Sequence, residues 1–136
     1  MFDAQKLLPQ SKHDLHSIPL IVETGYPAIA PILDELLDWT ADSNWPVARP
    51  LADFLLTLGT PLIDPISRIL RGTDGTQKWH CISLLVSELP IDVLRGLEED
   101  LRRLADHPSE DDKREEVDVE AREALLRFER MSRPPP

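Results

Sequence analysis

A single cysteine, Cys81, stands in the 136 residues of this chain. It has no partner for an internal disulfide, which points to a reducing compartment. Aromatic residues make up only 5% of the sequence, so leucine, isoleucine, valine and alanine must supply the core. Five glycines build no glycine-rich phosphate loop, and no serine nucleophile elbow is present. No apolar run approaches the roughly 18 residues that span a bilayer. The first residues, Met1-Phe2-Asp3-Ala4-Gln5-Lys6, lack the basic-then-apolar pattern of a signal peptide. These absences lead us to expect a cytoplasmic protein with no membrane partner.

Positive charge is also scarce. The net charge is −10 and the sequence pI near 4.7, which repels a phosphate backbone and excludes the ordinary mode of nucleic-acid binding. From His13 to Ala48 there is no Lys or Arg, while Asp14, Glu23, Asp34, Glu35, Asp38 and Asp42 all fall there. Such a window is either a solvated face or a docking surface for a basic partner.

What is present reads as helix throughout. Residues 1–13 form an irregular lead-in. Asp14 is placed to cap a segment to Glu23, with Leu15, Ile18 and Val22 at helical spacing and Gly25 as its stop; Pro19 implies that it is short, bent or starts later. Pro27 to Thr40 carries Ile29, Ile32, Leu33, Leu36 and Leu37 on one stripe and Asp34, Glu35 and Asp38 outward. Ser43 or Asn44 then caps a helix with Pro46 in its first turn and Val47, Leu51, Phe54, Leu55 and Leu58 inward. Further helices run from Pro61 to Arg71, from Gln77 to Leu89, and from Pro90 through Leu104. Residues 107–116 form a charged loop, residues 117–131 a C-terminal amphipathic helix, and residues 132–136 a disordered tail. One all-α domain over residues 1–131 is expected.

Two of these helices repeat. Pro27 and Pro31 return as Pro61 and Pro65, 34 positions on, with Ile32 answered by Ile66 and Leu36 by Leu70. Trp45 returns as Trp79 at the same offset, Val47 as Cys81, Ala48 as Ile82 and Leu51 as Leu85. A recurring pair of helices is the pattern of an α-solenoid. Its internal prolines match HEAT repeats better than tetratricopeptide repeats, so the expected architecture is an α–α superhelix of about three HEAT-like hairpins closed by the C-terminal helix.

The stretch Leu36-x-x-Trp39-x-x-Asp42-x-Asn44-Trp45-Pro46-Val47-Ala48 resembles the signature of a small bacterial family of HEAT-like helical proteins, the domain of unknown function 5071. The likeness covers the chain to about Ala105 and leaves the part after His107 outside it. The resemblance implies a helical fold and a bacterial source, and carries no established activity. By a looser analogy, small acidic bacterial proteins are similar to immunity proteins that neutralise secreted toxins.

Candidates for chemistry are thin. His13 and His16 offer two metal ligands without a third, so neither a metal nor a cofactor is expected. His80 and Cys81 are neighbours on a helix and do not face each other; Cys81 takes the place of a core valine. Asp34, Glu35, Asp38 and Asp42 crowd one region beside Trp39. As a docking surface they suit a basic protein, a toxin being the concrete case; as a solvated face they need no partner. Asn44, Trp45, Pro46 and Trp79 read as structural, the tryptophans stapling helix pairs and Asp42 and Asn44 capping the turn. The expected function is a non-enzymatic protein-binding module acting as a monomer. A scaffold with no toxin partner, or an enzyme on a HEAT-like frame such as a DNA glycosylase relative, remain alternatives.

Overall fold

A computed structural model describes residues 2–132 of the chain, and every element among them is helical. A 3-10 turn, Ala4–Leu7, precedes α1 (Ser17–Thr24), α2 (Leu33–Asp38), α3 (Ala48–Leu55), α4 (Ile63–Leu70), α5 (Gly75–Leu84), α6 (Ile91–Arg95), α7 (Glu98–Asp106), α8 (Glu110–Arg114) and α9 (Val117–Ser132). No helix among the described residues is long and apolar enough to cross a membrane. Residues 133–136, the remainder of the expected tail, lie outside the described residues, and Ser132 is the last residue of α9.

Prolines decide where the helices start. Pro19 falls in the first turn of α1, where its missing N–H costs no helical bond. The helix therefore begins at Ser17 and not at Asp14. Asp14 serves instead as a tie: its carboxylate accepts from the Gln10 N–H (2.9 Å) and the Ser17 hydroxyl (2.8 Å). Those two bonds hold its pKa below the ordinary carboxylate value. The late start also changes the buried face. Leu15 and Val22, expected inward, are 50% and 49% exposed, while Ile18 and Ile21 carry the contact. Gly25, at φ +67°, ends the helix by donating to the Ile21 carbonyl.

The Pro27–Thr40 segment is broken in the same way. Pro27 and Pro31 cannot donate to a helical ladder. A turn and the 3-10 stretch Ala30–Ile32 therefore precede α2. Ile29, Ile32, Leu33, Leu36 and Leu37 are buried as expected. After α2 the chain runs through turns from Asp42 to Val47, and neither Ser43 nor Asn44 caps α3, whose N-cap is Val47. Pro46 is exposed and lies outside the helix. The expected helix from Pro90 to Leu104 is two helices, α6 and α7, parted at Gly96 and Leu97.

The expected loop at 107–116 is a correction of another kind. Ser109 opens α8 with a capping box: its hydroxyl accepts from the Asp112 N–H, and the Asp112 carboxylate accepts from the Ser109 N–H. Glu116, at φ +61°, then turns the chain into α9.

Packing runs between neighbouring helices. α4 lies against α2 on one side and α7 on the other; α5 packs on α4 and α9, and α9 covers α7. Five of the pairs related by 34 residues are core: Ile32 and Ile66, Leu36 and Leu70, Val47 and Cys81, Ala48 and Ile82, Leu51 and Leu85 are buried, whereas Pro27 and Pro31 are exposed. Local structure does not follow that period so closely. Trp45 sits in a turn and Trp79 inside α5.

Candidate functional site

The acids of α2 part company once the fold is formed. Asp34 is met by Arg68 of α4, whose Nη2 and Nε donate to Oδ1 and Oδ2 at 2.7 and 3.1 Å. This fork-to-carboxylate pair is exposed on both sides, so it neutralises Asp34 while adding little stability. The absence of a base within the acidic window thus does not carry into space. Glu35 and Asp38 differ. Glu35 Oε1 accepts from Gln5 Nε2 and Asp38 Oδ1 from Gln77 Nε2, both at 3.1 Å. Neutral amides orient these carboxylates and leave their charge uncancelled.

Trp39 closes α2 as its C-cap residue, and the turn that follows brings Trp45 back against it. The two indoles meet edge to face, with centroids 6.0 Å apart and planes at 60°. Both are half-buried and pack on the core. On the outer side, Glu35, Asp38, Trp39 and Trp45 line an open hollow of about 320 Å³. Asp38 also lines a second hollow of about 380 Å³, bounded by Asp34, Arg68, Thr73, Asp74 and Gln77.

The structure therefore brings Glu35, Asp38 and Trp39 together and adds Trp45, for which the structural reading had been preferred to an interface role. Asp34 is drawn aside by Arg68. Asp42 is separate: its Oδ1 accepts from the Asn44 N–H at 2.9 Å and its carbonyl from the Trp45 N–H, which shapes the turn. Asn44 contributes its backbone N–H to that turn, and its side chain is exposed. Trp79 staples no second tryptophan; it stands edge-on to His80 at 5.1 Å. His80 in turn accepts the Ser43 N–H at Nδ1 (3.2 Å) and hydrogen-bonds the Ser43 hydroxyl at 3.0 Å, tying α5 to the turn.

Other candidates resolve simply. Burial pushes the Cys81 thiol up to about 12, so it is protonated at neutral pH and is no thiolate nucleophile. His13 and His16 are exposed, and among the described residues no group of three or more His, Cys, Asp or Glu is arranged to hold a metal ion.

A polar cluster that sequence reasoning missed lies at the other end of α5. Lys78 Nζ donates to Asp112 Oδ1 at 2.9 Å, with side chains only 5% and 4% exposed. Burial raises the Asp112 carboxyl, but bonds from Lys78 and the Ser109 N–H outweigh it and hold the group below its ordinary value. Next to it, the Gly75 N–H at the start of α5 donates to Asp111 Oδ2 at 2.9 Å. A Cβ on Gly75 would stand 2.6 Å from that oxygen, so the close approach needs glycine. Between α4 and α7, Asp100 is buried too; burial raises it, and bonds from Ser67 and Arg71 prevail and lower it.

The class that emerges is an all-helical protein with a buried charge pair between α5 and α8 and, among the described residues, surface acids without ion pairs beside two tryptophans on and after α2. The chain belongs to the family described as a domain of unknown function, DUF5071, which matches residues 7–125. The match passes through α8 into α9, so the likeness does not stop near Ala105, and residues 108–125 fall within the family's domain. No curated protein matches the chain.

Proposed function

We propose that the protein is a non-enzymatic binding module that docks a basic protein on the surface formed by α2 and the turn after it. The observation that carries this reading is the pair Glu35 and Asp38, oriented by glutamine amides and, among the described residues, without an ion pair, next to Trp39 and Trp45. Each acid makes one exposed bond to a glutamine and stays open to solvent, and aromatic side chains beside such acids suit an interface anchor. A bacterial immunity protein that covers a basic toxin is the concrete form of this function, and the chain would act in the cytoplasm as a monomer. The buried, unpaired Cys81 fits a reducing compartment.

We also infer that the helices stack as HEAT-like hairpins. Bonds between residues about one repeat apart support this: Asp34 with Arg68, Lys78 with Asp112, Ser67 with Asp100. The alternative of a DNA glycosylase relative needs a basic groove, and the hollows beside α2 are lined by carboxylates.

The test is co-purification of the tagged chain with its neighbouring-gene product from a native bacterial host. A retained basic protein, lost when Glu35 and Asp38 are both changed to Lys, is the expected result. Retention of no basic protein, or retention unaffected by that reversal, contradicts the reading. Electrostatic docking should also weaken as salt rises.

A further inference from the structure

We propose that the hollow lined by Glu35, Asp38, Trp39 and Trp45 seats an arginine side chain presented by the basic partner. The inference rests on the binding-module reading above and names the group that its surface recognises.

The walls of the hollow are two indoles and two carboxylates, those of Glu35 and Asp38. An indole face attracts a cation held within about 6 Å of the ring centroid. The edge-to-face contact at 6.0 Å fixes both rings, since each also packs on the core. A guest therefore meets a surface that is already formed. Glu35 and Asp38 stand three residues apart on α2, which puts them on one helical face.

The hydrogen bonds decide what this surface can accept. Each of the two carboxylates accepts one bond from a glutamine amide. A carboxylate has about four lone-pair sites, so each retains acceptor capacity toward the hollow. Among the described residues no ion pair reaches Glu35 or Asp38, in contrast to Asp34 with its Arg68. An apolar guest would strip water from two charged groups and return nothing. A cation compensates both.

Of the two cationic side chains, arginine fits better. Its guanidinium is flat, weakly hydrated and able to stack on an indole while its edge donates in a fork to carboxylates. A lysine ammonium is compact and strongly hydrated, and gives up more hydration to enter an aromatic hollow.

Calorimetric titration of the full chain with two peptides of equal length and charge, one carrying arginines and one lysines, tests this. The arginine peptide should bind at least about fivefold more tightly. Glu35→Gln with Asp38→Asn, both exposed and isosteric, should weaken it about tenfold or more. Asp53→Asn with Glu88→Gln removes the same charge from exposed positions elsewhere and should change it less than about twofold. Equal affinity for the two peptides, with both double variants weakened alike, would overturn the arginine seat and leave a general acidic docking surface standing. Binding of neither peptide would also overturn it, and the co-purification result then judges the wider reading by itself.

Discussion

Carboxylates serve two regions of this molecule in opposite ways. On α2, Glu35 and Asp38 stand at the surface, steadied by glutamine amides that carry no charge. Between α5 and α8, Asp112 is shut away from water and faces the ammonium of Lys78. Both regions pair residues from distant segments. Water makes the difference. A charge left in solvent costs the fold nothing and stays available to a partner, while a charge taken out of solvent must be paired or the fold suffers.

Removal of Asp112 should have the largest effect. Asp112→Ala leaves the Lys78 ammonium buried without a partner and deletes the α8 capping box, so it should cost about 3–5 kcal/mol in urea denaturation. Replacing both members, Lys78→Met with Asp112→Leu, should cost clearly less than Asp112→Ala alone, because no stranded charge remains. A double variant as damaged as the single one would assign the effect to the cap and not to the ion pair.

Acid should act on the same region. The Asp100 and Asp112 carboxyls are both held below their ordinary values in the fold. Their stabilisation is therefore complete above the unfolded value of about 3.9 and is lost as pH falls through the lower native values. Urea midpoints should drop as pH falls below about 4, and Asp100→Asn should flatten that dependence. A profile that falls instead between neutral pH and about 5 would place the responsible groups elsewhere.

On the exposed side, the Asp34–Arg68 pair has good fork geometry but is 56% and 61% exposed. Arg68→Ala should cost only about 0–1 kcal/mol, and high salt should erase most of the difference. A larger, salt-insensitive loss would make this pair a part of the core and narrow the contrast between the two regions.

Much of this was legible in the residues. Apolar spacing located nearly all the helices and the buried stripes, and five of the pairs marked by the 34-residue period are core, while Pro27 and Pro31 are exposed and Trp45 and Trp79 half-buried. The helix starts were not legible in detail, because Pro27 and Pro31 could be read either inside a helix or just before one. The charge partners were missed although the same period marks them: Arg68 follows Asp34, and Asp112 follows Lys78, by 34 residues. Lys78 also lies four and seven places before Ile82 and Leu85, on the apolar stripe of its helix, and Ser109-x-x-Asp112 has the spacing of a capping box. The roles of Gln5 and Gln77 had no such signal. Their amides reach Glu35 and Asp38 from segments 30 and 39 residues away, and only the fold brings them there.

The account turns on the α2 carboxylates doing nothing for the fold, and the stability of Glu35→Gln with Asp38→Asn measures that directly. Its urea midpoint should match the unaltered chain to within about 0.5 kcal/mol of unfolding free energy. A loss above about 1 kcal/mol would make Glu35 and Asp38 structural acids, like Asp112, and remove the reason for a partner at Trp39 and Trp45.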